Sequence, residues 1–165
     1  MKSVIPRVLV SGYGNYDRED DGVAWHILER LAKRIGQPLE TSPDEFEFKP
    51  GNDIDLMYSL QLYPEMAELL IGYSRVCFVD AHTGAVPEEV HIEELSAQHQ
   101  SSPFTHHLTA ATLLNLTESI YQTRPAALLI SVRGYSFRFT RNLSPATSIL
   151  ADQAVDQIAE WLKKS

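Results

Sequence analysis

Carboxylates and imidazoles stand at three separated points of this 165-residue chain, each where an apolar run gives way to polar residues. Asp20 and Asp21 close an acid-rich loop that follows Val8-Leu9-Val10 and Gly12-Tyr13-Gly14-Asn15. Asp80 ends the run Val76-Cys77-Phe78-Val79, and His106 and His107 follow Pro103 at the start of a helical pattern. Hard or borderline divalent ions take such ligands. In an open α/β sheet the strand ends share one edge, so Asp21, Asp80 and His106 are expected to converge although far apart in sequence.

Each group also has a plainer role open to it. Asp20 and Asp21 could cap the following helix and offset its dipole. His106 and His107, being adjacent on a helix, point in different directions, so at most one faces the site. His82 is a rival ligand on the loop after Asp80. Asp80 itself is harder to explain away, because a carboxylate ending a buried strand is costly unless solvated, paired or coordinating.

Several chemistries are excluded. Gly12 and Gly14 follow a strand and precede a helix, but the third glycine of a dinucleotide fingerprint is missing, and Asp17, Glu19, Asp20 and Asp21 would repel a pyrophosphate. No Gly-Lys-Ser/Thr phosphate loop, His-Glu-x-x-His zinc helix or Gly-x-Ser-x-Gly elbow occurs. With 22 acidic against 14 basic residues and a formal net charge of -8, a nucleic-acid partner is not expected. The single cysteine, Cys77, makes no internal bridge and fits a reducing compartment. No run reaches membrane-spanning length, so a cytoplasmic protein without membrane contact is expected.

The elements that must position these groups follow from periodicity. Residues 7 to 11, Val76 to Asp80 and Ala126 to Val132 read as buried strands, and His91 to Leu95 as an edge strand. The segment Glu40 to Lys49 alternates through Phe46 and Phe48 and reads as a further short strand, whereas Asn52 to Leu60 is the least patterned stretch. Helices are predicted over 21 to 35, over about Tyr63 to Gly72, after a Thr105 cap through Leu108, Leu113 and Leu114, and from about Pro145 to Lys163. This alternation predicts one domain over residues 1 to 165, a three-layer α/β/α sandwich around a mostly parallel twisted sheet of about five strands.

Together, Val8 to Asn15 with Asp20-Asp21-Gly22, then Phe78-Val79-Asp80-Ala81, then His106 leading into Leu108 to Leu114, resemble the hydrogenase maturation endopeptidases. These clip the C-terminal extension from the large-subunit precursor of nickel-iron hydrogenases. The resemblance implies that Asp21, Asp80 and His106 bind nickel and serve catalysis, the nickel arriving on the precursor. Gly14, Asn15, Asp20 and His82 are expected beside the substrate, and a carboxylate not engaged on the metal, Asp20 for instance, is a candidate general base that nothing in the sequence singles out. The implied partner is the large-subunit precursor, met by a monomer.

The chain departs from the family in one segment, having Tyr58-Ser59-Leu60-Gln61-Leu62-Tyr63-Pro64-Glu65 where many members are glycine-rich. His82 to Pro87 and Arg133 to Arg138 are further stretches peculiar to it. Two other readings use the same groups: a homologue that binds the metal-loaded precursor without cutting it, and an α/β hydrolase of some small molecule.

Overall fold

The computed structural model describes residues 7–45, 47–96 and 108–164. Strand β1 (Val8–Tyr13) leads through a 3-10 turn at Glu19–Gly22 into helix α1 (Val23–Ile35). Then come β2 (Ile54–Ser59), α2 (Met66–Leu70), β3 (Arg75–His82), β4 (Val90–Leu95), α3 (Ala110–Tyr121), β5 (Ala126–Arg133) and α4 (Pro145–Lys163).

The five strands form one sheet in the order β2-β1-β3-β5-β4. The pairs β1/β2, β1/β3 and β3/β5 are parallel, and β4 runs antiparallel along β5 as an edge. The chain leaves β1 toward β2 and then returns to β1's other side as β3. That reversal opens a crevice beyond the carboxyl ends of the strands, the usual ligand position in such sheets.

Strand alternation divides the interior in two. Val10, Cys77, Val79, Ile130 and Val132 pack with Ile27, Leu28 and Leu31 of α1 and Ala151 and Ile158 of α4. Leu9, Met57, Val76 and Phe78 face the other way, against Met66 and Leu70 of α2 and Leu113 and Leu114 of α3. Buried on both faces, the central strands carry unbroken apolar runs, Val8 to Val10, Val76 to Val79 and Ala126 to Ile130. The three-layer expectation holds.

Three local expectations need correction. Among the described residues of 40–49 there is no strand, only an isolated bridge between Ser42 and Glu45. The strand beside β1 is Ile54–Ser59, whose pattern is broken by Asp55. That carboxylate is buried, accepting from Arg7 Nη2 at 2.7 Å and the Tyr73 hydroxyl at 2.6 Å. The helix expected over Tyr63 to Gly72 is reduced to Met66–Leu70. Helix α3 is capped by Thr109, whose side chain accepts from the Thr112 N–H. Thr105 lies outside the described residues. Among the described residues no helix is long and apolar enough to cross a membrane.

Candidate functional site

Alternation fixes where the end of β3 presents its acid. Val76 and Phe78 face the α2/α3 layer, so Asp80 does too, as does Tyr13, two steps beyond Ser11 and four beyond Leu9 on β1. The Tyr13 hydroxyl donates to Asp80 Oδ2 at 2.9 Å. Asp80 Oδ1 is buried and has no hydrogen-bond partner among the described residues. Burial pushes the Asp80 carboxyl above the usual carboxylate range, outweighing the neighbouring hydroxyl groups, and the charge of Asp21 adds to the rise. Burial, reinforced by Asp80, also raises the Tyr13 pKa, so its hydroxyl stays a donor.

Asp21 is set by the loop between β1 and α1, which folds back on itself. Gly14 has φ +144, and a Cβ there would lie 2.2 Å from the Asp21 carbonyl oxygen. At Gly22 a Cβ would meet Tyr16 Cα at 2.7 Å. Both positions require glycine for close backbone approach. The glycines of this loop thus serve its own packing. Asn15 N–H donates to Asp21 Oδ2 at 2.9 Å, and the Tyr58 hydroxyl donates to the Gly14 carbonyl.

Asp21 and Asp80 line one open cleft of about 570 Å³, together with Tyr13, Gly14 and Asn15. Leu60 to Pro64, Ala81 and Leu108 complete its lining. The structure therefore brings together the two predicted acids and two of the predicted substrate-side residues, Gly14 and Asn15. Tyr13 was missed from sequence, although its strand parity with Asp80 could have revealed it.

Asp20 is not in the cleft. It is fully buried, and its carboxylate accepts from Tyr135 N at 2.9 Å, Ser136 N at 3.0 Å, Ser144 N at 2.9 Å and Ser144 Oγ at 2.7 Å. The Thr147 hydroxyl adds a fifth contact at 2.9 Å. Burial alone would raise this carboxyl, but the hydrogen bonds from Ser144, Tyr135 and Ser136 outweigh it and hold the group below its ordinary pKa. Neither substrate contact nor general-base work is open to a carboxylate so enclosed. Asp20 instead ties the loop after β5 to the loop after β1.

His82 is also occupied. Its Nδ1 accepts from Gly84 N–H at 3.1 Å, so the proton sits on Nε2, which donates to the Glu88 carbonyl at 2.9 Å. Both nitrogens thus serve the loop after β3, and neither is free for a ligand in this conformation. His106 lies outside the described residues. Among the described residues, no three His, Cys, Asp or Glu side chains stand close enough together to hold a metal ion.

No family model matches this sequence, and no curated protein matches it. Solved structures do. The hydrogenase maturating endopeptidase HybD from E. coli superposes with a TM-score of 0.69 at 17% identity, over 96% of this chain and 93% of its own. The NiFe hydrogenase maturation protease HycI from Thermococcus kodakarensis gives 0.64 at 20%, covering 96% and 93%. A hydrogenase 2 maturation peptidase from a Thaumarchaeota archaeon gives 0.63 at 23%, covering 96% and 99%. Over nearly its whole length, this chain has the fold of the hydrogenase maturation endopeptidases.

Proposed function

We propose that this protein is an endopeptidase that removes the C-terminal extension of a nickel-loaded nickel-iron hydrogenase large-subunit precursor. The observation that carries this reading is the cleft at the sheet's switch point, where Asp21 and Asp80 face one space and Asp80 Oδ1 has no partner among the described residues. A buried carboxylate oxygen without a hydrogen bond is expensive to maintain, and a cation delivered by the substrate relieves that cost. Likeness of fold to maturation proteases supports the reading.

In this mechanism the nickel is part of the substrate, held by the precursor's thiolates. Asp21 and Asp80 supply oxygen ligands, with Tyr13 fixing the orientation of the Asp80 carboxylate. His106 is the third ligand implied by the family pattern. Leu108, two residues later in sequence, lines the cleft. Coordination docks the precursor so that the peptide to be cut rests against the cleft wall, which lowers the entropic part of the barrier. Metal loading thus becomes a condition for cutting.

The test is incubation of precursor with the protein, with and without nickel, read by mass spectrometry. Cleavage is expected only with nickel, and Asp80→Asn is expected to slow it by at least about hundredfold. Equal cleavage without metal, or undiminished cleavage by the variant, overturns the reading. A second reading, binding without cutting, is favoured by the enclosure of Asp20, which leaves Asp21 and Asp80 as the acids lining the cleft. Stable capture of nickel-loaded precursor at unchanged mass would support it.

A further inference from the structure

The wall of the cleft that departs from the family pattern has a second hollow beside it. This hollow, of about 190 Å³, is lined by Met57, Tyr58 and Ser59 at the end of β2 and by Leu60, Gln61 and Tyr63. The last three residues also line the cleft, so the two spaces share a ridge. The ridge exposes two large apolar side chains, Leu60 at 53% and Tyr63 at 38% of full exposure, with Gln61 between them in sequence.

Two features mark the hollow as a place for a polypeptide. Ser59 lines the hollow but is only 4% exposed, and its Oγ is buried with no hydrogen-bond partner among the described residues. A buried hydroxyl left unpaired is costly; closed to solvent in this conformation, it reaches a peptide carbonyl or N–H in the hollow by turning about its Cα–Cβ bond, which relieves that cost. The hollow also lies at the free side of β2, the edge strand of the sheet. Val8 N–H bonds to the Asp53 carbonyl and Gly14 N–H to that of Ser59, so the intervening alternation turns the main chain of Tyr58 away from β1, toward the open edge.

We propose that this hollow is the specificity subsite for one apolar side chain of the polypeptide being cut, flanking the bond held in the cleft, while the Ser59 hydroxyl bonds the main chain of the same segment. The inference rests on the endopeptidase reading and names what that reading leaves open, the sequence preference beside the cut. An extended segment fits because the ridge is continuous with the cleft. An acidic side chain does not, because the walls carry no cation and the chain is already at -8.

The test uses a nickel-loaded large-subunit precursor and eight versions of it, with each of the four residues on either side of the cut replaced in turn by Asp. Affinity is measured on the wild type at a temperature low enough to arrest cutting, and cleavage on the same enzyme after warming. At one position, Asp is expected to weaken binding by about tenfold or more relative to the unaltered precursor. Leu60→Lys should restore binding of that version alone, and Tyr63→Ala, which removes one wall, should blunt the discrimination. Equal affinity for all eight versions, or no rescue by Leu60→Lys, overturns the subsite. So does a precursor-independent dimer that protects Leu60 from solvent, since a second copy would then own the ridge. If the wild type cuts none of the precursors, the endopeptidase reading fails, whereas the affinity pattern still decides the subsite.

Discussion

Asp20 accepts hydrogen bonds from five donors inside the protein, whereas Asp80 keeps one oxygen with none among the described residues. The first carboxylate is held below its ordinary pKa by those bonds despite burial, and the second is pushed above it because burial wins. Acids are common to both regions, and saturation separates them. A carboxylate whose lone pairs are all used holds loops together, and one left short of donors is available to a ligand. Glu19 belongs with Asp20, since it accepts from Ser136 Oγ at 2.6 Å and from Arg138 N at 3.1 Å. Asp21, whose Oδ2 takes one loop N–H, belongs with Asp80.

The sharpest way to break this comparison is to neutralise the two adjacent acids separately. Asp20→Asn places an amide where backbone N–H groups already point, and is expected to cost about 3 kcal/mol of stability. Asp21→Asn keeps an acceptor for Asn15 and is expected to change stability by less than about 0.5 kcal/mol while cleavage collapses. Urea titration and a precursor assay on both variants check the pair. Similar stability losses would erase the distinction.

An acid titration probes the same contrast with a smaller effect. Hydrogen bonds from Arg138 and Ser136 hold Glu19 down at about 2, against an ordinary 4.5. The unfolded chain therefore binds the proton first as pH falls. The stabilisation from Glu19 is complete above 4.5 and is lost progressively as pH drops toward 2. Urea midpoints measured across that window should fall steeply for the wild type and less steeply for Glu19→Gln. Parallel curves would show that the clasp is not electrostatic. The smallest effect is expected at His82, which lines no part of the cleft and spends both nitrogens on its own loop. His82→Ala should change cleavage by less than about threefold.

Sequence revealed the layers and left the saturation of the acids hidden. The runs Val76 to Val79 and Ala126 to Val132 and the spacing of α1 and α4 reflect burial on one or both faces, which sequence periodicity records directly. Strand β2 escaped because Asp55 is neutralised by Arg7 and Tyr73, a tertiary compensation invisible along the chain. Asp20 and Asp21 could not be told apart because the donors to Asp20 lie 115 to 127 residues away. The convergence of Asp21 and Asp80 was legible, since it follows from where parallel strands end.

The tight fit of Gly14 against the Asp21 carbonyl, and of Gly22 against Tyr16, carries a consequence for how this loop tolerates change. Any side chain at either position must first push the turn apart, and the acid it presents would move with it. In a comprehensive substitution scan selected for precursor processing, these two positions should prove as unforgiving as the carboxylates, with alanine as damaging as tryptophan. Intolerance there would report the geometry of a hinge-free bracket, and a scan scored only for chemically reactive groups would overlook it.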